Sequence, residues 1–165
     1  MGYGIFPAGK YFNQEGFSFL IWMKVSTYIY NQTIIDFANG NPSDNVLYRF
    51  ELFSDELYLH HYQGSSQRER SPLSKGIALN KWIHIAVTLS QNIVVLYMDG
   101  IEEFSFNAPL NDVVRTKNFI GYNNWGEGDG AHSIFDEMKI FDRELTSEEI
   151  KAEKDMKQPF KIIEN

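Results

Sequence analysis

The chain has 165 residues, with 43% hydrophobic and 15% aromatic side chains, which suits one folded domain with a buried core. Its formal net charge is −7, and no basic stripe is present to neutralise phosphates, so we expect no nucleic-acid partner. The sequence has no cysteine, which excludes disulfides, thiol catalysis and zinc–thiolate sites. No apolar run is long enough to cross a bilayer, so we expect no direct membrane insertion.

Most of the sequence alternates between apolar and polar side chains with a period of two, which is typical of β-strands. The alternation predicts strands over residues 17–25, 46–53, 56–62, 81–89, 93–98, 101–106, 118–122 and 133–141. Asp99-Gly100 separates two of these strands and is a strong hairpin signal, because Asp-Gly favours the turn that matches strand twist. Short strands separated by turn signals predict an all-β fold, a two-sheet antiparallel jelly-roll sandwich.

The C-terminal part of the chain carries the one helix signal. Thr146 and Glu149 form a capping box, in which each side chain bonds the other residue's backbone amide. We therefore expect a short C-terminal surface helix over residues 147–156, a sandwich domain over 1–157, and a tail or linker over 158–165. The basic residues Arg68, Arg70 and Lys75 lie in a polar stretch that we interpret as a solvated loop. No signal peptide is visible, so we expect the chain to be part of a larger multidomain protein.

Five sequence motifs follow one another along the chain. They are Gly-Phe-Ser-Phe-Leu-Ile-Trp-Met-Lys at 16–24, Ile-Asp-Phe-Ala-Asn-Gly at 35–40, Trp-Ile-His-Ile-Ala-Val at 82–87, Val-Val-Leu-Tyr-Met-Asp-Gly at 94–100, and Phe-Asp-Glu-Met-Lys-Ile-Phe at 135–141 with the predicted helix behind it. In this order they resemble the laminin G-like domains of the concanavalin A-like lectin/glucanase class. The resemblance covers residues 16–150, and it implies the sandwich fold and an extracellular or cell-surface location. The fold hosts many functions, so the resemblance leaves the ligand open.

Two polar loops are the candidate functional region. The first, residues 36–45, contains Asp36, Asn39, Asn41, Asp44 and Asn45. The second, residues 122–132, contains Asn123, Asn124, Trp125, Glu127 and Asp129 among glycines. Ca²⁺ prefers carboxylate, amide and carbonyl oxygens, and two such loops at one end of a sandwich could supply them. The same residue types are also ordinary turn formers, which need no metal.

A second resemblance makes the calcium expectation specific. Pentraxins, which share the jelly roll, bind calcium through an Asp-Asn pair after the second strand and through acidic and amide residues of a later loop. Asp44-Asn45 resembles the first element, and Asn123 resembles the second in part, with Glu127 and Asp129 as the nearby carboxylates. The resemblance therefore implies a Ca²⁺ site formed by Asp44, Asn45, Asn123, Glu127 and Asp129. A structural calcium with Asp136 as one ligand is an alternative.

Trp125 differs from Trp22 and Trp82, which lie on predicted strands and which we interpret as core residues. A tryptophan among polar residues and glycines can stack on a sugar ring, with Asn123 and Asn124 bonding its hydroxyls. The alternative is that its ring folds back onto the end of the sandwich. We name Trp125, Asn123 and Asn124 as candidate ligand-binding residues.

No catalytic residue is predicted. Glycosidases of this fold need paired carboxylates on one strand face, in a Glu-x-Asp-x-x-Glu pattern. The nearest match, Glu127-Gly-Asp129-Gly-Ala-His132, ends in histidine and lies in a glycine-rich loop. The sequence therefore predicts a non-catalytic extracellular binding module with lectin-like, calcium-assisted recognition of a glycan. The alternative is a protein-binding adhesion or scaffold module without sugar binding.

Overall fold

The structure, a computed structural model, describes residues 2–50, 54–70, 76–126 and 130–156. Its strands are β1 Gly4–Phe6, β2 Gly16–Val25, β3 Thr33–Ala38, β4 Val46–Phe50, β5 Leu57–Gln63, β6 Ser66–Arg70, β7 Trp82–Ser90, β8 Ile93–Met98, β9 Ile101–Asn107, β10 Lys117–Ile120 and β11 Ser133–Phe141, and its helix is α1 Ser147–Met156. The strands form a six-stranded sheet, β1-β10-β3-β4-β5-β6, and a five-stranded sheet, β11-β2-β7-β8-β9. Every strand pair is antiparallel, which confirms the predicted two-sheet sandwich.

The core lies between the two sheets and follows from the alternation of side chains. Phe17, Phe19 and Ile21 of β2 point inward and are fully buried. They pack with inward residues of the other sheet, among them Phe37 of β3 and Tyr48 of β4. Each large apolar side chain removed from water contributes about 2 kcal/mol, so this layer supplies much of the stability of the fold.

Helix α1 covers the outward face of the five-stranded sheet. Ile150 of the helix is fully buried and packs in a small second cluster with Leu20 of β2 and Tyr97 of β8. The predicted capping box is present, because the amide of Glu149 donates to Thr146 Oγ1 at 3.2 Å and the amide of Thr146 donates to Glu149 Oε2 at 2.9 Å. The helix therefore seals one of the two outward sheet faces. In the described chain no helix has the length and apolar content that a bilayer crossing requires.

Three strands, β1, β3 and β6, lie outside the ranges that the alternation predicted, and of these only β3 overlaps a family motif, at residues 35–40. Strand β1 has only three residues, and β6 pairs with β5 along a polar edge, from Gln63 opposite Ser66 to Leu59 opposite Arg70. The interpretation of the stretch around Arg68 and Arg70 as a loop was therefore wrong, while Lys75 lies outside the described residues. The tail over 158–165 also lies outside them, so the boundary after residue 157 stays a prediction.

Candidate functional site

The two polar loops meet at the carboxylate of Asp36. This side chain leaves β3 on the outward face of the six-stranded sheet, yet it is fully buried. Its Oδ1 accepts a hydrogen bond from Asn45 Nδ2 at 2.8 Å. Its Oδ2 accepts from the backbone amide and from Nδ2 of Asn124, at 2.7 and 3.0 Å. One carboxylate thus holds the loop after β3 and the loop after β10 on its two oxygens.

The ionisation of Asp36 reflects this burial. Loss of solvent raises the pKa of its carboxyl to about 6, although the donors of Asn124 and Asn45 favour the charged form and oppose the shift. Sequence reasoning assigned Asp36 to a loop and gave it no role of its own. A single carboxylate among the apolar residues of β3 is the signal that could have revealed it, because buried carboxylates need partners.

Asp44 and Asn45 are adjacent, but their side chains lead to different parts of the structure. Asp44 has a positive φ of 56°, and its Oδ1 accepts from the amide of Gly64 at 2.7 Å and from Asn111 Nδ2 at 2.8 Å. Its carbonyl oxygen accepts from Nε of Arg115 at 2.7 Å. Arg115 is fully buried, and desolvation lowers its pKa to about 10, against the attraction of Asp44. Asp44 therefore links the loop after β3 to the β5–β6 turn and to the segment after β9, whereas Asn45 bonds Asp36.

The loop after β10 is closed at its base. The amide of Gly121 donates to the carbonyl of Ile34 at 2.8 Å, and the amide of Ala131 donates to the carbonyl of Gly121 at 3.0 Å. Asn123 is buried, and its Nδ2 donates to Thr33 Oγ1 at 3.1 Å. Its Oδ1 accepts from the amide of Trp125 at 2.9 Å, which fixes the start of the loop. The predicted residues Glu127 and Asp129 lie outside the described part of the chain.

Trp125 packs against the outward face of the six-stranded sheet. Its ring centroid lies 5.9 Å from that of Tyr62, which is buried at the end of β5, while Trp125 itself keeps part of its surface exposed. Further along the same face of β5, the rings of Tyr58 and His60 stack with centroids 6.0 Å apart. Gln67 of β6 bonds Nδ1 of His60 at 2.8 Å. The ring of Trp125 therefore folds back onto the sheet. It lies at the end of a row of ring side chains that β5 presents on the outward face.

Comparison with models of protein families identifies the superfamily of the chain. Residues 2–151 match the laminin G-type family model of the concanavalin A-like lectin/glucanases superfamily. The chain belongs to this superfamily. The match spans both sheets and the first half of α1, so it includes Asp36, Trp125 and the two polar loops. No curated protein sequence matches this concanavalin A-like chain.

Solved structures share the fold at low sequence identity. One is domain 4 of AbnA, an extracellular GH43 arabinanase from Geobacillus stearothermophilus, in complex with arabinotriose, with a TM-score of 0.71, 21% identity, and coverage of 90% of this chain and 70% of that one. The receptor-binding domain of botulinum neurotoxin mosaic serotype C/D has a TM-score of 0.68 and 18% identity, with 86% and 36% covered. A third is a structure of botulinum neurotoxin type C, whose cell entry is dependent upon interaction with two ganglioside molecules, with a TM-score of 0.61, 17% identity, and 86% and 36% covered. The concanavalin A-like chain thus spans a little over a third of the toxin chains that it resembles.

Of the calcium site that the pentraxin resemblance implies, the structure describes Asp44, Asn45 and Asn123, and each of them makes hydrogen bonds within the protein. Both oxygens of Asp36 and Oδ1 of Asp44 accept hydrogen bonds from N–H donors, whereas Ca²⁺ needs oxygens that converge on it. Within the described ranges no group of three or more His, Asp or Glu residues is arranged to hold a metal. Asp136 is exposed, and its Oδ1 accepts from the amide of Glu137 at 2.9 Å. The calcium prediction therefore depends on Glu127 and Asp129.

Proposed function

We propose that this chain is a non-catalytic glycan-recognition module that acts outside the cell as part of a larger protein. The observation that carries the proposal is the position of Trp125 beside Tyr62, on a loop that Asp36 holds against the outward sheet face. The C–H face of a sugar packs well on a partly exposed indole ring, and polar groups at the ring edge can bond its hydroxyls. Because the loop is anchored at both ends, the ring is held in place before a ligand arrives.

The rest of this sheet face has the mixed character that sugars require. Beyond Trp125, β5 presents Tyr58 and His60, and β4 and β6 present Arg49 and Gln67 on the same face by their register. These side chains combine flat ring surfaces with hydrogen-bonding groups. Such a face suits a ligand that has both C–H surfaces and hydroxyls better than it suits a purely apolar partner.

The structural relatives support the same ligand class. The arabinanase domain was solved with arabinotriose, and cell entry of botulinum neurotoxin type C depends on gangliosides. One ligand is a short oligosaccharide and the other carries sugars on a lipid, so the shared chemistry is the glycan. The arabinanase is extracellular, and its matched part is one domain of that enzyme, which supports an extracellular location and a larger parent protein.

The acidic residues of the central strands support a non-catalytic role. Hydrolysis of a glycosidic bond requires two carboxyl groups on either side of that bond. Strands β3, β4 and β5 contain a single acidic residue, Asp36. Its two oxygens are already engaged by Asn45 and Asn124, and its side chain is fully buried.

A protein-binding adhesion or scaffold role is the second candidate. It would use an exposed apolar sheet face, but Ile150 of helix α1 and Leu145 just before the helix cover that face of the five-stranded sheet. The exposed apolar side chains that could still contact a protein partner are Tyr3 and Ile5, near the β1 edge. The structure therefore favours the glycan role without removing the alternative.

The proposal is tested by screening the chain on a glycan array and then measuring the affinity of the best ligand by calorimetry. We expect Trp125→Ala to weaken binding by at least about tenfold, as expected for an aromatic residue at the centre of a binding site. Leu79→Ala, an exposed apolar residue in the segment before β7, is the control and should keep full affinity. An empty array would favour the protein-binding role, and unchanged affinity in Trp125→Ala would remove the proposed platform.

Calcium assistance stays a prediction with its own experiment. Thermal melting with Ca²⁺ and with a chelator compares the wild type and a Glu127→Gln, Asp129→Asn double variant. A ligand that binds only the folded state raises the melting temperature, so a rise of a few degrees that the double variant loses is the expected result. Identical melting curves with Ca²⁺ and chelator would contradict it.

A further inference from the structure

An open groove of about 510 Å³ lies at the turn that follows Tyr62. Four segments form its walls: the segment before β2, the β5–β6 turn, the β7–β8 turn and the segment after β9. Its lining residues are Gln14, Glu15, Gln63, Gln91, Asn92, Pro109 and Leu110. The volume is in the range of known small-ligand sites, and Gln63 is the direct chain neighbour of Tyr62. Because neighbouring residues of a strand face opposite sides of the sheet, the groove lies across the end of β5 from the face that carries Tyr62 and Trp125.

The groove is notable for side-chain amides that the fold does not use. Gln14, Gln63, Gln91 and Asn92 are exposed, and their amide groups make no hydrogen bond within the described residues. Each such group offers two N–H donors and one carbonyl acceptor. Elsewhere in the molecule the buried amides of Asn45, Asn118 and Asn123 are bonded to the protein. Four amides are thus concentrated in one concavity and remain available to a ligand.

The walls of the groove are held in place independently of these amides. The β5–β6 turn is fixed by the bond from the amide of Gly64 to Asp44 Oδ1, at 2.7 Å. The wall after β9 is fixed by the bond from the amide of Ala108 to the carbonyl of Asn92, at 2.8 Å. Gln91 and Asn92 form a tight turn with φ angles of 49° and 66°. A ligand would therefore meet a preformed groove and would order only the amide side chains.

The charge of the lining narrows the ligand class. Among the described lining residues Glu15 is the only charged one, and they include no Lys or Arg to pair with an acidic ligand. Pro109 and Leu110 add a small apolar surface. An amide donates to one hydroxyl and accepts from the next, so several amides in a groove match the neighbouring hydroxyls of an uncharged sugar.

From these observations we infer that the groove is a second subsite, which binds a neutral, hydroxyl-rich saccharide unit across the end of β5 from the one on Trp125. The inference rests on the proposed function, because it extends the same class of ligand beyond Tyr62. It assigns the amides of Gln14, Gln63, Gln91 and Asn92 as the hydrogen-bonding groups of this subsite.

The experiment follows the side-chain amide signals directly by NMR. The probes are four neutral trisaccharides, arabinotriose, xylotriose, mannotriose and galactotriose, with sialyllactose as the acidic comparison. We expect at least one neutral trisaccharide to shift the NH₂ signals of Gln14 and Gln63, and sialyllactose to leave them in place. The same trisaccharide should bind a Gln14→Ala, Gln63→Ala double variant at least about tenfold more weakly, since several hydrogen bonds are lost. Asn107→Ala, an exposed amide on β9 outside the lining, should bind within about twofold of the wild type.

The outcomes separate this inference from the proposed function. Loss of binding in Trp125→Ala with full binding in the double variant would overturn the groove and leave the platform. Loss of binding in the double variant alone would support the groove and overturn the platform. No binding by any of the neutral trisaccharides, or a shift of the groove signals by sialyllactose alone, would overturn the inferred ligand class. The two glutamines are exposed, so an unchanged melting temperature of the double variant is expected and shows that the fold is intact.

Discussion

Tyr48 and His61 share a hydrogen bond of 3.1 Å between the phenol oxygen and Nε2 of the imidazole, in the interior of the sandwich. Both side chains are fully buried. Burial lowers the pKa of His61 to about 3, partly offset by the carbonyl of Ala108, and the nearby charge of Arg115 lowers it further. Burial also raises the pKa of Tyr48 well above its usual value. The pair is therefore uncharged at neutral pH.

Acid should destabilise the protein through this histidine. In the unfolded chain His61 takes up a proton as the pH falls through 6.5, while in the folded protein it stays neutral down to about pH 3. The unfolded state thus binds more protons in this range, and the free energy of unfolding should fall by up to about 1.4 kcal/mol per pH unit. His84 adds to the effect, because burial lowers its pKa to about 4. Urea unfolding between pH 7 and pH 4 measures the slope.

His61→Gln is the matching variant, because a glutamine amide can still bond the hydroxyl of Tyr48 but does not titrate. We expect its slope against pH to be smaller than that of the wild type, with the remainder set by the opposing effects of His84 and Asp36. Equal slopes for the two proteins would show that His61 does not cause the acid sensitivity.

Asp36 should act in the opposite direction. Burial raises its pKa from 3.8 to about 6, so its contribution to stability is fully present below pH 3.8 and is lost as the pH rises through about 6. The total change is about 3 kcal/mol. Asp36→Asn removes this term, so the free energy of unfolding of the variant should fall more steeply than that of the wild type between pH 6 and pH 4. Asp155→Asn, an exposed residue of α1, should leave the wild-type slope unchanged.

Asp44 should matter for stability whether or not a metal binds. Asp44→Ala leaves the amide of Gly64 and Nδ2 of Asn111 without their acceptor. It also removes the carboxylate whose negative charge most favours the charged form of Arg115. We expect a loss of about 1–3 kcal/mol in chemical unfolding. Asp44→Asn keeps an acceptor oxygen and tolerates the positive φ, so it should recover part of the loss. Equal stability of the alanine variant and the wild type would contradict the tethering role.

A substitution at Ile150 tests whether the packing of α1 on the five-stranded sheet stabilises the fold. Ile150→Ala should reduce the free energy of unfolding by about 2–4 kcal/mol, because it removes a fully buried side chain from the cluster with Leu20 and Tyr97. Lys151→Ala, one position further along the helix and exposed, is the control and should change stability by less than about 0.5 kcal/mol. A similar loss in both variants would indicate that the helix itself, and not its buried contact, determines the effect.

Strands and helix were predictable where their signal is local. The predicted ranges 93–98, 133–141 and 147–156 coincide with β8, β11 and α1, since alternation and the capping box lie within the elements themselves. Strand β6 has the sequence Ser-Gln-Arg-Glu-Arg, which carries no apolar residue, and it is a strand because β5 offers it a free edge. Such pairing is a property of the assembled sheet, and the sequence of β6 alone does not contain it.

The site was predictable in its region but not in its contacts. The two polar loops do lie together, as their position between strands suggested, and Asn45 and Asn124 reach the same carboxylate. Asp44 leads elsewhere because its φ of 56° turns its side chain toward Gly64 and Asn111, which are 20 and 67 residues away in the chain. Contacts over such separations follow from the packing of the two sheets, which no local pattern specifies.

In the loop after β10, the residues that close the base are different from the residue that presents a ring on the sheet face. Gly121 and Ala131 bond each other across the base, and a side chain at Gly130 would meet the carbonyl oxygen of Gly121 at 2.8 Å, so the base tolerates little change. In the described contacts the indole of Trp125 takes no part in this closure, since it is the backbone amide of this residue that donates to Asn123 Oδ1. Related proteins could therefore carry a different side chain at position 125 on an unaltered base, and this position is the natural one to randomise when the ring contact with Tyr62 is to be varied.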